Sequence, residues 1–354
     1  YKVDKADLPA GTYRNVVGNY ALSMGLAAAA EKSKLGLFYG GYPITPASDI
    51  LHTLSAWKHL GIKTFQAEDE IAGITSVLGA AFTGDLGITA TSGPGIALKG
   101  EAMGLAVMAE LPIVIINVQR GGPSTGLPTK TEQSDLMQAM YGRNGEAPVP
   151  VLASATPGDC FFAAYEACRI AVKYMTPVVL LTDGYLANGS EPWQVPKVDD
   201  LPDFDVSFAD ESNLADGQFL SYSRDKKTLA RPWAIPGTPG LEHRIGGIET
   251  EDLTGNVSYD PDNHHYMVET RAKKVDAIAN EIASSEIFGS KNGDLLILSW
   301  GGTKGACRSA TEALKADGKK VGHLHLRWIN PFPKDLGEKL IKFKNILIPE
   351  INYG

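Results

Sequence analysis

The sequence contains only three cysteines, Cys160, Cys168 and Cys307, which are odd in number and lack CxxC spacing. This scarcity excludes a disulfide framework and an iron–sulfur cluster held by this chain alone, and it is typical of a reducing compartment. No apolar run approaches the roughly 20 residues that span a bilayer. The first residues also lack the apolar core of a signal peptide. We therefore expect a soluble, cytoplasmic protein with no membrane partner.

Positive charge is also in short supply. The chain has 33 Lys and Arg against 41 Asp and Glu, a net charge of −8, which disfavours nucleic acid as a main partner. What remains is an ordinary globular composition, 44% hydrophobic and 21% charged, over 354 residues. This length is sufficient for two domains. Because the chain starts at Tyr1 without Met and stops after a strand-like run at Gly354, we expect a piece of a longer polypeptide.

Short apolar runs alternate with helical periodicity over the first half of the chain. The runs predict strands at 35–40, 62–67, 87–92, 112–118 and 176–182. Between them, helical spacing places Ile71, Ile74, Leu78 and Ala81 on one helix face, and a second helix is predicted over 95–110. Strands that alternate with helices, several of them almost wholly apolar, predict a doubly wound α/β fold with a parallel sheet covered on both faces.

The second half begins with a long irregular segment. From about Glu191 to His265 neither periodicity is present, which favours an arm wrapped on a partner or neighbouring domain. A flexible linker is the alternative, but it would not need the large apolar residues of this segment, Trp233, Ile235, Leu241 and Ile245. A helix is predicted over 267–287, followed by a second α/β unit. We divide the chain into a first domain (1–195), an arm (196–275) and a second domain (276–354).

Two loops at predicted strand ends carry carboxylates or exposed amides, and ligands of doubly wound sheets gather at such ends. "FQAEDEIAG" places Glu68, Asp69 and Glu70 at a helix start, where acidic residues commonly reflect a first-turn preference. We favour that interpretation for Glu68 and Asp69. Glu70 is a functional candidate because glycines in its helix, at 73 and 79, would let a ligand or another chain approach. The turn "TSGPG" (91–95) could bind a ligand or merely reverse the chain, and it lacks the P-loop pattern.

Two further loops offer substrate contacts. "QRGGPSTGLPTKTEQSD" places Arg120 at a strand end before two glycines, where a guanidinium can grip a carboxylate; a surface ion pair is the alternative. Thr125, Thr129, Lys130 and Thr131 add donors. "GGYPITPASDI" holds Thr45 between two prolines, which restrict the backbone and fix the position of the hydroxyl.

Taken together, "GGYPITPASDI", "AEDEIAG", "TATSGPG" and "QRGGPSTGLPT" resemble the alpha subunit of the 2-oxoacid:ferredoxin oxidoreductases, most closely the 2-oxoglutarate enzymes, and "RPWAIPGTPGLEHRIGG" resembles its arm. The resemblance implies a thiamine diphosphate (ThDP) pyrimidine-binding-type domain followed by a transketolase C-terminal-like domain, truncated at the end of the chain. It also implies the site residues: Glu70 as the catalytic, cofactor-activating glutamate, Thr45, Arg120 and Thr129 as substrate-binding residues, and Pro43, Ile44, Ser92 and Gly93 as cofactor contacts beside Glu70.

The implied reaction converts 2-oxoglutarate, coenzyme A and oxidised ferredoxin to succinyl-CoA, CO₂ and reduced ferredoxin, or runs in reverse as in the reductive TCA cycle. "LTDGYLANG" lacks the first glycine and the spacing of the family's GDG motif for Mg²⁺. Mg²⁺, the cofactor's diphosphate and a [4Fe-4S] cluster are therefore expected on a beta subunit, with no metal ligand on this chain and ThDP shared between subunits. A gamma domain, fused upstream or separate, and a dimer of heterodimers complete the implied assembly.

Three other functions stay open at this point. The same chemistry could act on pyruvate or another 2-oxoacid. A non-catalytic assembly subunit could have kept the fold, although it would have no need for Thr45, Glu70 and Arg120 together. A stand-alone ThDP enzyme is disfavoured by the missing diphosphate motif.

Overall fold

A computed structural model describes residues 8–354; the first seven residues, where the predicted first domain begins, lie outside the described residues. The strands of the described part are β1 (Tyr13–Val17), β2 (Leu37–Gly41), β3 (Lys63–Gln66), β4 (Leu86–Thr91), β5 (Ile113–Gln119), β6 (Val151–Ala153), β7 (Val178–Asp183), β8 (Ser190–Gln194), β9 (Leu214–Ala215), β10 (Gln218–Phe219), β11 (Ile287–Gly289), β12 (Gly293–Trp300), β13 (Val321–Leu326), β14 (Trp328–Asn330) and β15 (Phe343–Leu347). The helices are α1 (Gly18–Ser33), α2 (Ser48–Ala56), α3 (Glu70–Phe82), α4 (Gly93–Leu98), α5 (Gly100–Ala109), α6 (Leu136–Tyr141), α7 (Asp159–Tyr174), α8 (Gly184–Asn188), α9 (Pro261–Ala277), α10 (Lys304–Ala316) and α11 (Leu336–Leu340).

The larger sheet has seven strands in the order β14-β6-β7-β5-β4-β2-β3. All its pairs are parallel except β14 with β6. Every residue of β4, β5 and β7 is buried, which explains why these strands appear in the sequence as continuous apolar runs. The five strands predicted in the first half are confirmed as β2, β3, β4, β5 and β7.

Helices cover both faces of this sheet. Helices α1, α2 and α7 share one hydrophobic core with it, and α3 and α5 share a second core on the opposite face. Helix α1 lies so close to α7 that a side chain at Gly25 would overlap the carbonyl oxygen of Phe161. The predicted doubly wound α/β fold is confirmed.

The second sheet has the order β11-β13-β12-β15, with β11 antiparallel and the other pairs parallel. Its apolar face packs into the core of α3 and α5, through Leu296, Leu298, Trp300, Leu324 and Leu326. Strand β14 then leaves this unit and pairs with β6 of the first sheet. The two α/β units therefore share both a core and a strand, and the boundaries at 195 and 275 stay predictions.

Two helix predictions need correction. The helix predicted over 267–287 is wrong at both ends, because α9 starts at Pro261 after the capping side chain of Asp260 and ends at Ala277. The apolar residues that extended the predicted pattern belong to a 3₁₀ turn and to β11. Ile71 is 49% exposed because the buried face of α3 is centred on Ile74, Val77 and Ala81. The predicted helix 95–110 is present as α4 and α5, which meet at Lys99.

The irregular segment lies on the first domain of its own chain. The indole nitrogen of Trp233 donates to the carbonyl of Ala81, at the end of α3, at 3.0 Å. Arg231 donates to the carbonyl of Ala109 at 3.0 Å. The hydroxyl of Tyr222 donates to the carbonyl of Met108 at 3.2 Å, and both carbonyls lie at the end of α5. The bonds from Arg231 and Tyr222 satisfy carbonyls that the end of α5 leaves free. Among the helices of residues 8–354, none combines the length and apolar character needed to cross a bilayer.

Candidate functional site

The four loops singled out in the sequence follow four adjacent strands. Strands β5, β4, β2 and β3 are neighbours in the sheet, and the loops after them carry Arg120, Ser92, Thr45 and Glu70 respectively. Because parallel strands end at the same edge, these loops converge there. The sheet order thus brings together segments that are up to 75 residues apart in sequence.

Arg120 joins two of these loops. Its Nη1 donates to the carbonyl of Thr45 at 2.6 Å and its Nη2 to that of Thr125 at 2.7 Å. The residue is only 6% exposed, and its Nε is buried without a partner. Since guanidinium carries five N–H donors, three donors remain for another group. The hydroxyl of Thr45 makes no hydrogen bond within residues 8–354, and this residue is exposed.

Glu70 is the first residue of α3 and is 8% exposed. The neighbouring Asp69 caps the helix by accepting from the N–H of Ala72 at 2.8 Å, which confirms the structural role preferred for Asp69. The carboxyl oxygens of Glu70, in contrast, make no hydrogen bond within residues 8–354. The side chain is thus largely buried while its carboxyl oxygens stay available to a ligand.

Lys99 binds the backbone carbonyl of Glu70 from within the core. This fully buried lysine donates to the carbonyl of Glu70 at 2.8 Å and to the hydroxyl of Thr89 at 3.1 Å. Burial lowers the pKa of Lys99 to about 8, although the carboxylates of Glu70 and Asp69 act to raise it. Nothing in the sequence marks Lys99 as a buried residue, because a single lysine within a predicted helix is usually on its exposed face.

The two helix glycines beside Glu70 differ in their surroundings. A side chain at Gly73 would lie 3.1 Å from the Cα of Gly41, so this glycine allows α3 to approach β2 of the same chain. Gly79 faces open space, with nothing within 4 Å of the position that a Cβ atom would take. The expectation that Gly73 leaves room for a ligand or another chain is therefore wrong.

The glycine-rich turn between β4 and α4 contacts Glu70. A Cβ atom at Gly95 would overlap the hydroxyl of Thr91 and lie 2.8 Å from the Cγ of Glu70. The backbone N–H groups of Gly95 and Ile96 both donate to the carbonyl of Ser92. The hydroxyl of Ser92 is fully buried and has no partner within residues 8–354. The turn thus contains one unsatisfied polar group, and its Gly95 packs against the side chain of Glu70.

Replacing Gly95 with alanine is expected to destabilise the chain by about 1–3 kcal/mol, because the added methyl group has no space. Gly104→Ala in α5 is the matched control, since nothing lies within 4 Å of its Cβ position and the substitution should stabilise by about 0.5–1 kcal/mol. Urea unfolding of both variants measures the difference. Equal stability of the two variants would contradict the packing described for the turn.

A polar network missed by the sequence analysis lies beside the turn. Asn117 donates to Asp135 at 3.0 Å, and the backbone N–H of Asp135 donates to Gln119 at 3.2 Å. A Cβ atom at Gly93 would lie 2.8 Å from a carboxylate oxygen of Asp135. Burial raises the pKa of Asp135, with a smaller contribution from the charge of Glu132. The sequence feature that could have indicated this network is the pair Asn117 and Gln119, two polar residues on the same face of an otherwise apolar strand.

A cavity of about 1230 Å³ lies beside the start of α4 and the loop that follows β5. Arg120, Gly93 and Asp135 line it, together with Thr125 and the C-terminal segment 350–353. That segment reaches the site through bonds to Gln133, whose N–H donates to the carbonyl of Ile351 at 2.9 Å. Thr129 lies on the exposed loop 121–130. Of the predicted site residues, Thr45, Glu70, Ser92 and Thr129 are not among those that line this cavity.

Within residues 8–354, no group of three or more His, Cys, Asp or Glu side chains could hold a metal ion. Asp183 of "LTDGYLANG" instead caps α8 by accepting from the N–H groups of Tyr185 and Leu186.

The three cysteines are free and buried, and burial raises the pKa of the Cys160 thiol to about 12. Burial raises the pKa of the other two thiols as well, so all three are protonated at neutral pH.

Most of the chain matches two models of known protein families. Residues 31–259 match the family "Pyruvate flavodoxin/ferredoxin oxidoreductase, thiamine diP-bdg", and residues 293–354 match "Pyruvate:ferredoxin oxidoreductase core domain II". The chain is 53% identical to 2-oxoglutarate oxidoreductase subunit KorA of Mycobacterium tuberculosis, over 100% of this chain and 53% of the relative. It is 34% identical to 2-oxoglutarate synthase subunit KorA of Archaeoglobus fulgidus, over 90% of this chain and 83% of the relative.

A solved structure is similar over almost the whole chain. The 2-oxoglutarate:ferredoxin oxidoreductase from Magnetococcus marinus, with 2-oxoglutarate, coenzyme A and succinyl-CoA bound, superimposes with a TM-score of 0.89 and 36% identity. The match covers 96% of this chain and 58% of that one. The chain thus spans about half the length of the M. tuberculosis relative and of this solved chain.

Proposed function

The chain belongs to the 2-oxoacid:ferredoxin oxidoreductase family, as a relative of its alpha subunits, and on this premise we propose that it forms half of a ThDP-dependent active site. The proposed reaction converts 2-oxoglutarate, coenzyme A and oxidised ferredoxin to succinyl-CoA, CO₂ and reduced ferredoxin. The observation that carries this proposal is the largely buried side chain of Glu70, whose carboxyl oxygens have no hydrogen-bond partner within the described residues 8–354, on the same sheet edge as Ser92 and Arg120.

The residues at this edge fit the aminopyrimidine half of ThDP. Glu70 offers a free carboxyl group, Ser92 a buried hydroxyl that no group of residues 8–354 contacts by a hydrogen bond, and Gly93 a turn without a side chain. Pro43 and Ile44, both half-buried in the loop after β2, complete the proposed contacts. When bound, ThDP supplies a nucleophilic carbon and an electron sink for loss of CO₂. The role of Glu70 is to hold and exchange a proton between its carboxyl oxygen and the pyrimidine nitrogen N1′.

Arg120 and Thr45 are proposed to hold the substrate's 1-carboxylate. The buried guanidinium keeps three N–H donors free within residues 8–354, and a bidentate pair with a carboxylate is strong where water is excluded. Its bonds to the carbonyls of Thr45 and Thr125 fix its position before substrate binds, so little ordering is left to the binding step. The same bonds place the Thr45 loop beside it, where the free hydroxyl can donate to the substrate.

Selectivity for 2-oxoglutarate requires recognition of a second carboxylate. The exposed loop 121–130 carries Thr129 and Lys130, and we propose that Thr129 contacts the distal end of the substrate with Lys130 supplying positive charge. Pyruvate lacks this second carboxylate, so neither residue would add to its binding.

The rest of the active site is proposed to lie on a beta subunit that provides Mg²⁺, the diphosphate site and a [4Fe-4S] cluster. This division rests on the incomplete GDG motif in "LTDGYLANG", whose Asp183 caps α8. Ferredoxin and coenzyme A are the further proposed partners, with a gamma domain and a dimer-of-heterodimers assembly.

Substrate preference provides the direct test. The chain is assembled with its beta partner, ThDP, Mg²⁺ and coenzyme A, and reduction of a low-potential dye is followed with 2-oxoglutarate or pyruvate. A strong preference for 2-oxoglutarate is expected. Preference for pyruvate would keep the chemistry and correct the substrate, whereas inactivity with both would favour an assembly subunit. Binding of ThDP and Mg²⁺ by this chain alone would favour a stand-alone enzyme.

A further inference from the structure

A second cavity, of about 800 Å³, lies between the second sheet and the end of β6, away from the residues assigned above. We call it the basic cavity because four cationic side chains line it, with Glu286 as the one acidic residue in its lining among residues 8–354: Lys291, Lys304, Arg308 and Arg327. This concentration of positive charge stands out in a chain whose net charge is −8. The volume is typical of small-molecule sites.

The cations of the basic cavity are only partly neutralised by protein groups. Arg327 is paired with Asp159, and Arg308 contacts Glu312 at 2.8 Å in a half-exposed pair. Lys291 donates to the carbonyl of Ile287, which carries no charge. Lys304 makes neither an ion pair nor a hydrogen bond within residues 8–354 and lies at the start of the 13-residue helix α10. The field of this helix end adds to the positive potential.

Two histidines in the wall of the basic cavity share one serine hydroxyl. The Oγ atom of Ser299, which is fully buried, lies 2.7 Å from Nε2 of His323 and 2.8 Å from Nδ1 of His325. The hydroxyl donates to one ring and accepts from the other, so either arrangement leaves a further N–H donor on one of the two rings. His323 is 4% exposed, and the Nε2 atom of His325 is buried without a partner within residues 8–354.

Both rings are neutral because of their surroundings. Burial, followed by the charges of Arg308 and Lys304, lowers the pKa of His323 to about 4. Burial also lowers the pKa of His325 to about 3, together with the charges of Lys304, His323 and Arg327. A bound anion would offset these cations and accept the spare N–H.

We propose that the basic cavity binds a small phosphorylated molecule, with its phosphate group held by Lys304, Arg308 and the N–H that the His323–Ser299–His325 group presents. A phosphate suits this set because it accepts several charge-assisted hydrogen bonds at once. The remaining volume of the cavity takes the rest of the ligand. This binding site is separate from the proposed ThDP site and does not depend on the proposed function.

Binding of inorganic phosphate to the full chain, followed by ³¹P NMR at constant ionic strength, tests the proposal. Saturable binding is expected, and Lys304→Gln should weaken it about tenfold or more, the loss of one charge-assisted hydrogen bond. Lys319→Gln, a surface lysine outside the basic cavity, is the matched control. Both lysines are exposed, so neither substitution disturbs the fold. Absence of saturable binding, or equal weakening by both substitutions, would overturn the proposal.

Two further measurements sharpen the result. Phosphate should raise the pKa of the His323 ring, measured by NMR titration against chloride at equal ionic strength; an unchanged pKa would overturn the participation of the histidines. Titration with ADP tests the rest of the cavity. Tighter binding of ADP than of phosphate would support a nucleotide ligand, and equal affinity would support a site for the phosphate group alone.

Discussion

Replacing Glu70 with glutamine is expected to lower turnover of the assembled enzyme by about 10²–10⁴-fold, the range of a lost general acid–base group. The amide has nearly the same shape as the carboxyl group but cannot exchange the proton with N1′. The folded chain should tolerate the change, because the carboxyl oxygens have no protein partner to lose within residues 8–354. The cap from Asp69 and the bond from Lys99 to the backbone carbonyl both remain.

Glu68→Gln is the matched control for this experiment. Glu68 is exposed, two residues before Glu70, and carries the same charge. Dye reduction is measured for both variants after size-exclusion chromatography has shown that each assembles with the beta subunit. Equal turnover of the two variants would exclude Glu70 as the cofactor-activating residue. Failure of the Glu70 variant to assemble would instead indicate a structural role.

Replacing Glu110 with glutamine is expected to cost about 3–5 kcal/mol of unfolding free energy, the usual consequence of removing one partner from a buried ion cluster. Glu110 follows the last residue of α5 and is 3% exposed. Its carboxylate contacts Arg224 of the arm at 2.5 Å and Lys274 of α9. Both cationic side chains are buried, so the variant would leave Lys274 without its counter-ion and Arg224 with Asp252 alone. Urea unfolding measures the loss.

Glu31→Gln is the control for the Glu110 variant, because Glu31 forms an exposed ion pair with Lys34 at the end of α1. Exposed ion pairs contribute little to the free energy of unfolding. Hydrogen exchange adds a local measurement: the Glu110 variant should lose protection in the arm around Tyr222 and Arg231. If protection in the arm were unchanged while global stability fell, the cluster would stabilise the domain without attaching the arm.

The same cluster predicts a specific pH dependence. Burial raises the pKa of Glu110, but the charges of Lys274 and Arg224 outweigh it, so the pKa lies below the ordinary value of 4.5. The unfolded chain therefore binds this proton at a higher pH than the folded chain does. The stabilisation is complete above pH about 4.5 and is lost as the pH falls through the folded value. The unfolding free energy of Glu110→Gln should show a smaller decrease with acid than that of the original chain; an equal decrease would contradict this assignment.

Much of the fold and the site's location could be predicted from the sequence. The buried strands β4, β5 and β7 are mostly apolar on both faces, so their burial is evident from local composition. Loops that follow parallel strands meet at one edge, so Thr45, Glu70, Ser92 and Arg120 could be grouped from the sequence alone. The family resemblance rested on the same loops, and the comparisons confirm it. The roles of the individual residues stay predictions.

The tertiary structure decided which distant residues meet. Glu110 contacts partners 114 and 164 positions away in sequence. The number of free N–H donors on Arg120 depends on which backbone carbonyls accept from its other N–H groups. The basic cavity combines residues from β11, α10 and β13. Periodicity shows which face of a helix or strand is buried, but not which side chain lies opposite. Ile71 illustrates this limit, since it fits the helical spacing but lies beside the buried face of α3, which is centred on Ile74 and Val77. Local sequence therefore determined the elements and their order, and packing between elements determined the polar contacts, because those contacts depend on the positions of both partners.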